Sequence, residues 1–163
     1  MKITLLSICC LVTLQAAGQG KFAGSYASLI GKKYTDEKQL TLLNGFTYRG
    51  GTMLSDVNDP DGFSGGWYVK GNLIVALFEQ KIGDKGRAIL DVLEIKNVQK
   101  DQELSIGVCQ DGESVNEGIV ALVQVSKDER FKAVKAWYFN RDKIRIDIFA
   151  SDKVTCLGMV GDD

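Results

Sequence analysis

Hydrophobic and polar residues alternate over much of this chain. Ile144-Arg145-Ile146-Asp147-Ile148 puts three isoleucines on one side of an extended segment and two charges on the other, the pattern of a half-buried strand. Leu104-Ser105-Ile106-Gly107-Val108-Cys109 alternates likewise over its first half, and residues 119–125 and 134–139 are rich in strand-favouring β-branched and aromatic side chains. The sharpest local signal is Trp67-Tyr68-Val69-Lys70-Gly71-Asn72-Leu73-Ile74-Val75-Ala76-Leu77-Phe78. Two apolar runs flank Gly71-Asn72, both of which tolerate positive φ, so the segment reads as a hairpin with a two-residue turn. Gly83-Asp84-Lys85-Gly86 and Asn140-Arg141-Asp142-Lys143 supply further turns.

Two segments give mixed signals. Ala88-Ile89-Leu90-Asp91-Val92-Leu93-Glu94-Ile95 fits neither the helical nor the strand period, and its place after a turn and among strands favours a strand. Thr35-Asp36-Glu37 has the form of a helix N-cap with an acidic first turn, and Asn44-Gly45 that of a helix stop. Residues 36–43 therefore fit either a short helix or a hairpin. The resulting expectation is a mainly β fold, an antiparallel barrel or sandwich of about eight to ten strands with at most one or two short helices.

The first residues follow a different rule. Lys2 precedes an uncharged apolar run to Leu14, followed by Gln15-Ala16-Ala17-Gly18, which supplies small residues at the positions a signal peptidase needs. Residues 1–18 thus read as a signal peptide cut after Gly18, and residues 19–163 as a single β-rich domain long enough to bury one core. Lipid attachment at Cys9 or Cys10 is disfavoured, because both lie inside the apolar run and Ile8 precedes Cys9 where a small residue is needed. No later segment reads as a membrane span.

Composition narrows the chemistry. The chain has 20 Lys and Arg against 21 Asp and Glu, interspersed and without a basic arm, so nucleic acid is not an expected partner. Histidine is absent, which excludes His-dependent triads and His-ligated zinc hydrolases. After leader removal only Cys109 and Cys156 are left, too few for a structural zinc motif. In an oxidising compartment they are expected to form a disulfide, joining the strand that ends at Cys109 to a closing strand at Val154-Thr155-Cys156-Leu157. No phosphate loop, nucleophile elbow or Ser-x-x-Lys motif is present, and no cofactor is expected.

Two groups of residues invite a ligand. Asp56-Val57-Asn58-Asp59-Pro60-Asp61-Gly62 collects oxygen donors of the kind a calcium ion takes, from Asp56, Asn58, Asp59 and Asp61. Pro60 stands where a donor should be and no glutamate closes the loop, so a solvated turn is the preferred reading and no metal is expected. The aromatic pairs Trp67-Tyr68 and Trp137-Tyr138 are more informative. Strand alternation sends neighbouring rings to opposite faces, so one ring of each pair can be core while the other meets a cavity or partner. Trp67, Tyr68, Trp137 and Tyr138 are the candidate ligand-binding residues.

Phe22-Ala23-Gly24-Ser25-Tyr26 resembles the opening strand of lipocalin-type barrels, with Tyr26 where those proteins carry a Trp, and Ser64-Gly65-Gly66-Trp67 is similar to a phrase of small secreted lipocalin-like domains. The resemblance implies an up-and-down antiparallel barrel with a ligand-sized interior, and brings no catalytic residue. The combined expectation is a periplasmic or extracellular, non-enzymatic binding domain, which holds a small apolar ligand or shows an aromatic face to another protein. A carboxylate-dependent hydrolase and a structural cell-envelope interaction protein are the alternatives. An apolar lumen, a cleft with two facing carboxylates and a filled core distinguish the three. The export reading makes one direct prediction: N-terminal mass analysis of exported protein finds Gln19 first, and retention of residues 1–18 or acylation of Cys9 or Cys10 contradicts it.

Overall fold

The computed structural model describes residues 19–54, 62–112 and 114–158, so the expected leader, residues 1–18, lies outside the described residues. Two antiparallel sheets make up most of the chain, and they do not close into a barrel. In the first, β1 (Lys33–Tyr34), β5 (Gly86–Ile95), β4 (Leu73–Ile82), β3 (Phe63–Lys70) and β2 (Thr47–Met53) lie side by side in that order. In the second the order is β6 (Gln102–Ile106), β9 (Ile119–Gln124), β10 (Arg130–Asn140), β12 (Val154–Leu157), β7 (Cys109–Asp111) and β8 (Ser114–Val115). β11 (Arg145–Phe149) also pairs with β10. The layers are arranged as in a sandwich.

Among the described residues there are twelve strands and three 3-10 turns, more of each than the alternation pattern suggested. The additional strands have simple origins. β1 and β8 are two residues long, too short to show a period, and the alternating run 104–109 is broken at Gly107-Val108 into β6 and β7. The β3–β4 hairpin forms as expected, with Lys70 opposite Leu73 and Gly71 at φ 59° in the turn. Residues 36–43 take the helical alternative, as 3-10 turns at Glu37–Gln39 and Thr41–Leu43, with Asp36 Oδ1 accepting the Lys38 amide at 2.9 Å. Gly24–Leu29 is also a 3-10 turn, whereas an opening strand was expected there.

Three apolar clusters explain the layering. The central one lies between the sheets, where Phe78 of β4 stacks on Phe63 at 5.7 Å and on Phe139 of β10 at 5.0 Å. A second covers the outer face of the first sheet, where Leu29, Leu40 and Leu43 of the 3-10 segments pack on Val75, Leu77, Ile89 and Val92. Because both faces are covered, residues 74–79 of β4 are buried without interruption. The third gathers Ile119, Ala121 and Val123 of β9 with Phe131, Val154 and the cysteines, as the second sheet curls to bring β7 and β12 against β9.

The disulfide forms within this curl. Cys109 and Cys156 face each other directly across β7 and β12 and are bonded, 47 positions apart in sequence. Closing a loop of that size contributes about 4 kcal/mol in the chain-entropy account.

Two departures from simple alternation have structural causes. In β5, Phe78 pairs with Asp91 and Glu79 with Ile89, leaving Leu90 as a bulge. One inserted residue reverses the facing of everything beyond it, which is why residues 88–95 fit no single period. In β11, only Ile146 is fully buried. Ile144 lies in the preceding turn at φ 50°, and Ile148 is 68 % exposed at the end of the strand, so the three isoleucines do not share one buried face as expected.

The bulge places Asp91, which is fully buried, between the layers. Its Oδ1 accepts the amides of Gly20 at 2.8 Å and Val92 at 2.9 Å, and its Oδ2 accepts that of Ile146 at 2.8 Å. Residues 19–22 complete the seam: Phe22 O accepts the Glu94 amide at 2.8 Å, and Gln19 Nε2 donates to Ile144 O at 2.9 Å. Asp91→Ala strands two buried amides and one part-buried amide and is expected to lower unfolding free energy by about 3 kcal/mol. Urea denaturation measures it; a loss within the range of an ordinary surface substitution would show that the seam carries little.

Candidate functional site

The two sheets part on the flank opposite Asp91, where β2 and β6 are the outermost strands. They are pinched together at one end, with Thr52 against Gly107 and Arg141 Nη1 donating to Leu54 O at 2.6 Å. Toward the β3–β4 turn they separate into a cleft of about 720 Å³. That volume suits a small organic molecule. Its apolar lining comes from Trp67, Val69, Ile74, Val98 and Leu104, several of them members of the central core. Val98 belongs to the segment that crosses from one sheet to the other, and its amide donates to Asn72 O at 3.0 Å, which ties this wall to the hairpin turn.

A second bulge shapes the mouth. Tyr48 pairs with Tyr68 and Gly50 with Trp67, so Arg49 has no partner across the ladder and its side chain lines the cleft. Gly50 is at φ 143°, and a Cβ there would come 3.4 Å from the Trp67 ring, so glycine permits both the backbone and the close approach of the indole. Arg49, Lys100 and Glu103 are the charged residues of the lining. Burial pushes the Glu103 carboxyl above its ordinary value.

The four aromatic candidates do not converge. Trp67 lines the cleft, whereas Trp137 is enclosed in the central core. Tyr68 faces the opposite side of the first sheet, under the N-terminal turns, and Tyr138 lies on the outer side of the second sheet, 6.0 Å from Phe149. Alternation thus split each pair as expected. Asp56, Asn58, Asp59 and Asp61 lie outside the described residues. Arg49, Val98 and Lys100 gave no sequence signal, because a bulge and a crossover segment position them.

A polar group lies apart from the cleft, on the outer face of the first sheet. Glu79 is 1 % exposed and accepts hydrogen bonds from the Tyr34 hydroxyl and from Arg87 Nη1, the latter at 3.1 Å. Arg87 also reaches Ser64 Oγ at 3.4 Å, and Tyr48 packs on Tyr68 nearby with ring centroids 5.1 Å apart. Burial raises the Glu79 carboxyl above its ordinary 4.5, against the opposing pull of the Tyr34 hydrogen bond and the Arg87 charge. Burial and then the charge of Glu79 hold the Tyr34 hydroxyl protonated as a donor. Every member of this group has its partner, so it reads as a structural support of the sheet.

Compared with known proteins, the chain matches no family model, no curated protein and no solved structure.

The Glu79 group has a pH signature. A carboxyl with a raised folded-state pKa holds its proton more tightly when folded, so its contribution to stability falls as pH rises from the unfolded value through the folded one. Wild-type protein should therefore lose stability relative to Glu79→Gln as pH rises above 4.5, and the difference should level off once the folded-state carboxyl is ionised. Urea midpoints of the two proteins across that range test this, and a difference independent of pH contradicts it.

Proposed function

We propose that this protein is an exported, non-enzymatic binding domain that holds a small apolar molecule in the cleft between its sheets. The observation that carries the reading is the opening of the central core at Trp67, Val69, Ile74 and Leu104 into a space of about 720 Å³. An apolar wall continuous with the core, joined by a small number of polar groups, is the usual form of a small-molecule site. Export to the periplasm or the cell exterior agrees with the Cys109–Cys156 bridge, which suits an oxidising compartment.

The hydrolase alternative draws less support. Glu103 is the one carboxylate lining the cleft among the described residues, and a two-carboxylate mechanism needs a second facing it. Asp91 is bonded to three backbone amides, and Glu79 to Tyr34 and Arg87.

The neutral probe N-phenyl-1-naphthylamine tests the binding reading. It should saturate at one molecule per chain and quench tryptophan emission, and Val98→Glu, which puts a charge on a half-buried wall of the cleft, should abolish binding without changing the far-ultraviolet circular dichroism. Absence of saturable binding to the wild-type protein overturns the reading.

A further inference from the structure

We propose that the ligand of the cleft is an amphipathic anion, whose apolar body lies against Trp67 and Leu104 and whose single acidic group is held by Arg49 and Lys100. This rests on reading the cleft as a ligand site and adds the chemistry of what it takes.

The argument starts from charge. Two cations, Arg49 and Lys100, stand in the lining of the cleft against one carboxyl, that of Glu103. Arg49 and Lys100 line the cleft and have no ion pair or hydrogen bond from their side chains among the described residues. Arg49 stands on the extra residue of the β2 bulge, an arrangement that re-aims a side chain out of the ladder. Its guanidinium offers a planar fork that matches a carboxylate, sulfonate or phosphate, while Lys100 supplies a mobile point charge from the opposite wall.

The remaining charge in the lining does not reverse this balance. Glu103 is half-buried and is a single carboxyl against two cations, so the charged lining is net positive even with Glu103 ionised. A cationic ligand would meet two like charges, and a fully apolar one would leave Arg49 and Lys100 without partners. An anion with an apolar body satisfies both the wall and the rim.

A matched pair of probes separates this inference from the binding reading beneath it. 1-Anilinonaphthalene-8-sulfonate has nearly the same aromatic body as N-phenyl-1-naphthylamine and adds one sulfonate. The expected result is about tenfold tighter binding of the sulfonate to the wild-type protein, the effect of one charge-assisted contact. In the double variant Arg49→Gln, Lys100→Gln the two probes should bind alike. A control variant, Lys38→Gln with Lys132→Gln, alters exposed lysines outside the cleft lining and should keep the preference. Equal binding of both probes to the wild type, persistence of the preference in the double variant, or its loss in the control variant would overturn the anion inference and leave the cleft as a neutral binding site. Failure of either probe to bind would overturn the binding reading as well.

Discussion

Asp91 is fully buried and its two oxygens accept three backbone amides, one from the segment before the first strand, one from its own strand and one from the opposite sheet. A carboxylate taken out of water costs several kcal/mol unless its oxygens are satisfied, so Gly20, Val92 and Ile146 have to meet at this point for the chain to fold. Residues 19–22 then lie along the part of β5 that β1 does not cover, and β11 is held against it. One flank of the sandwich is thereby sealed.

The other flank is left partly open. β2 and β6 approach where Thr52 meets Gly107 and diverge toward the β3–β4 turn, and Trp67, Ile74 and Leu104 of the central core line the divergence. A bulge contributes to each flank in a different way. At Leu90 the inserted residue turns a carboxylate inward, where amides receive it, and at Arg49 it releases a guanidinium toward the cleft mouth. The same irregularity closes one side of the molecule and sets a guanidinium in the cleft on the other.

The outer face of the first sheet shows how a buried acid is accommodated by a different route. Glu79 follows the apolar run of β4 and is buried, with Tyr34 and Arg87 supplying the donors that a solvent shell would otherwise provide. Tyr34 is in β1, whose two residues pair with Ala88 and Arg87. That short strand therefore brings both donors to the carboxylate.

Much of the local structure was legible in the sequence because turn chemistry and alternation are local. Gly71-Asn72 specified the hairpin and strand alternation the separation of the Trp67 and Tyr68 rings, while the Asp36 cap supported one of the two readings open for residues 36–43. The lone cysteine pair after the expected leader identified the disulfide, since no other partner was left for either thiol. Tertiary structure alone decided the rest. Spacing alone does not say where a bulge falls or which side chain it turns, so neither the inward turn of Asp91 nor the release of Arg49 was read from the sequence. Two-residue strands such as β1 exist only because a neighbouring strand supplies their hydrogen bonds. The cleft is a gap between strands distant in sequence, so residues as unlike as Arg49, Trp67, Val98 and Leu104 become neighbours only when the two sheets are sealed on one side and allowed to part on the other.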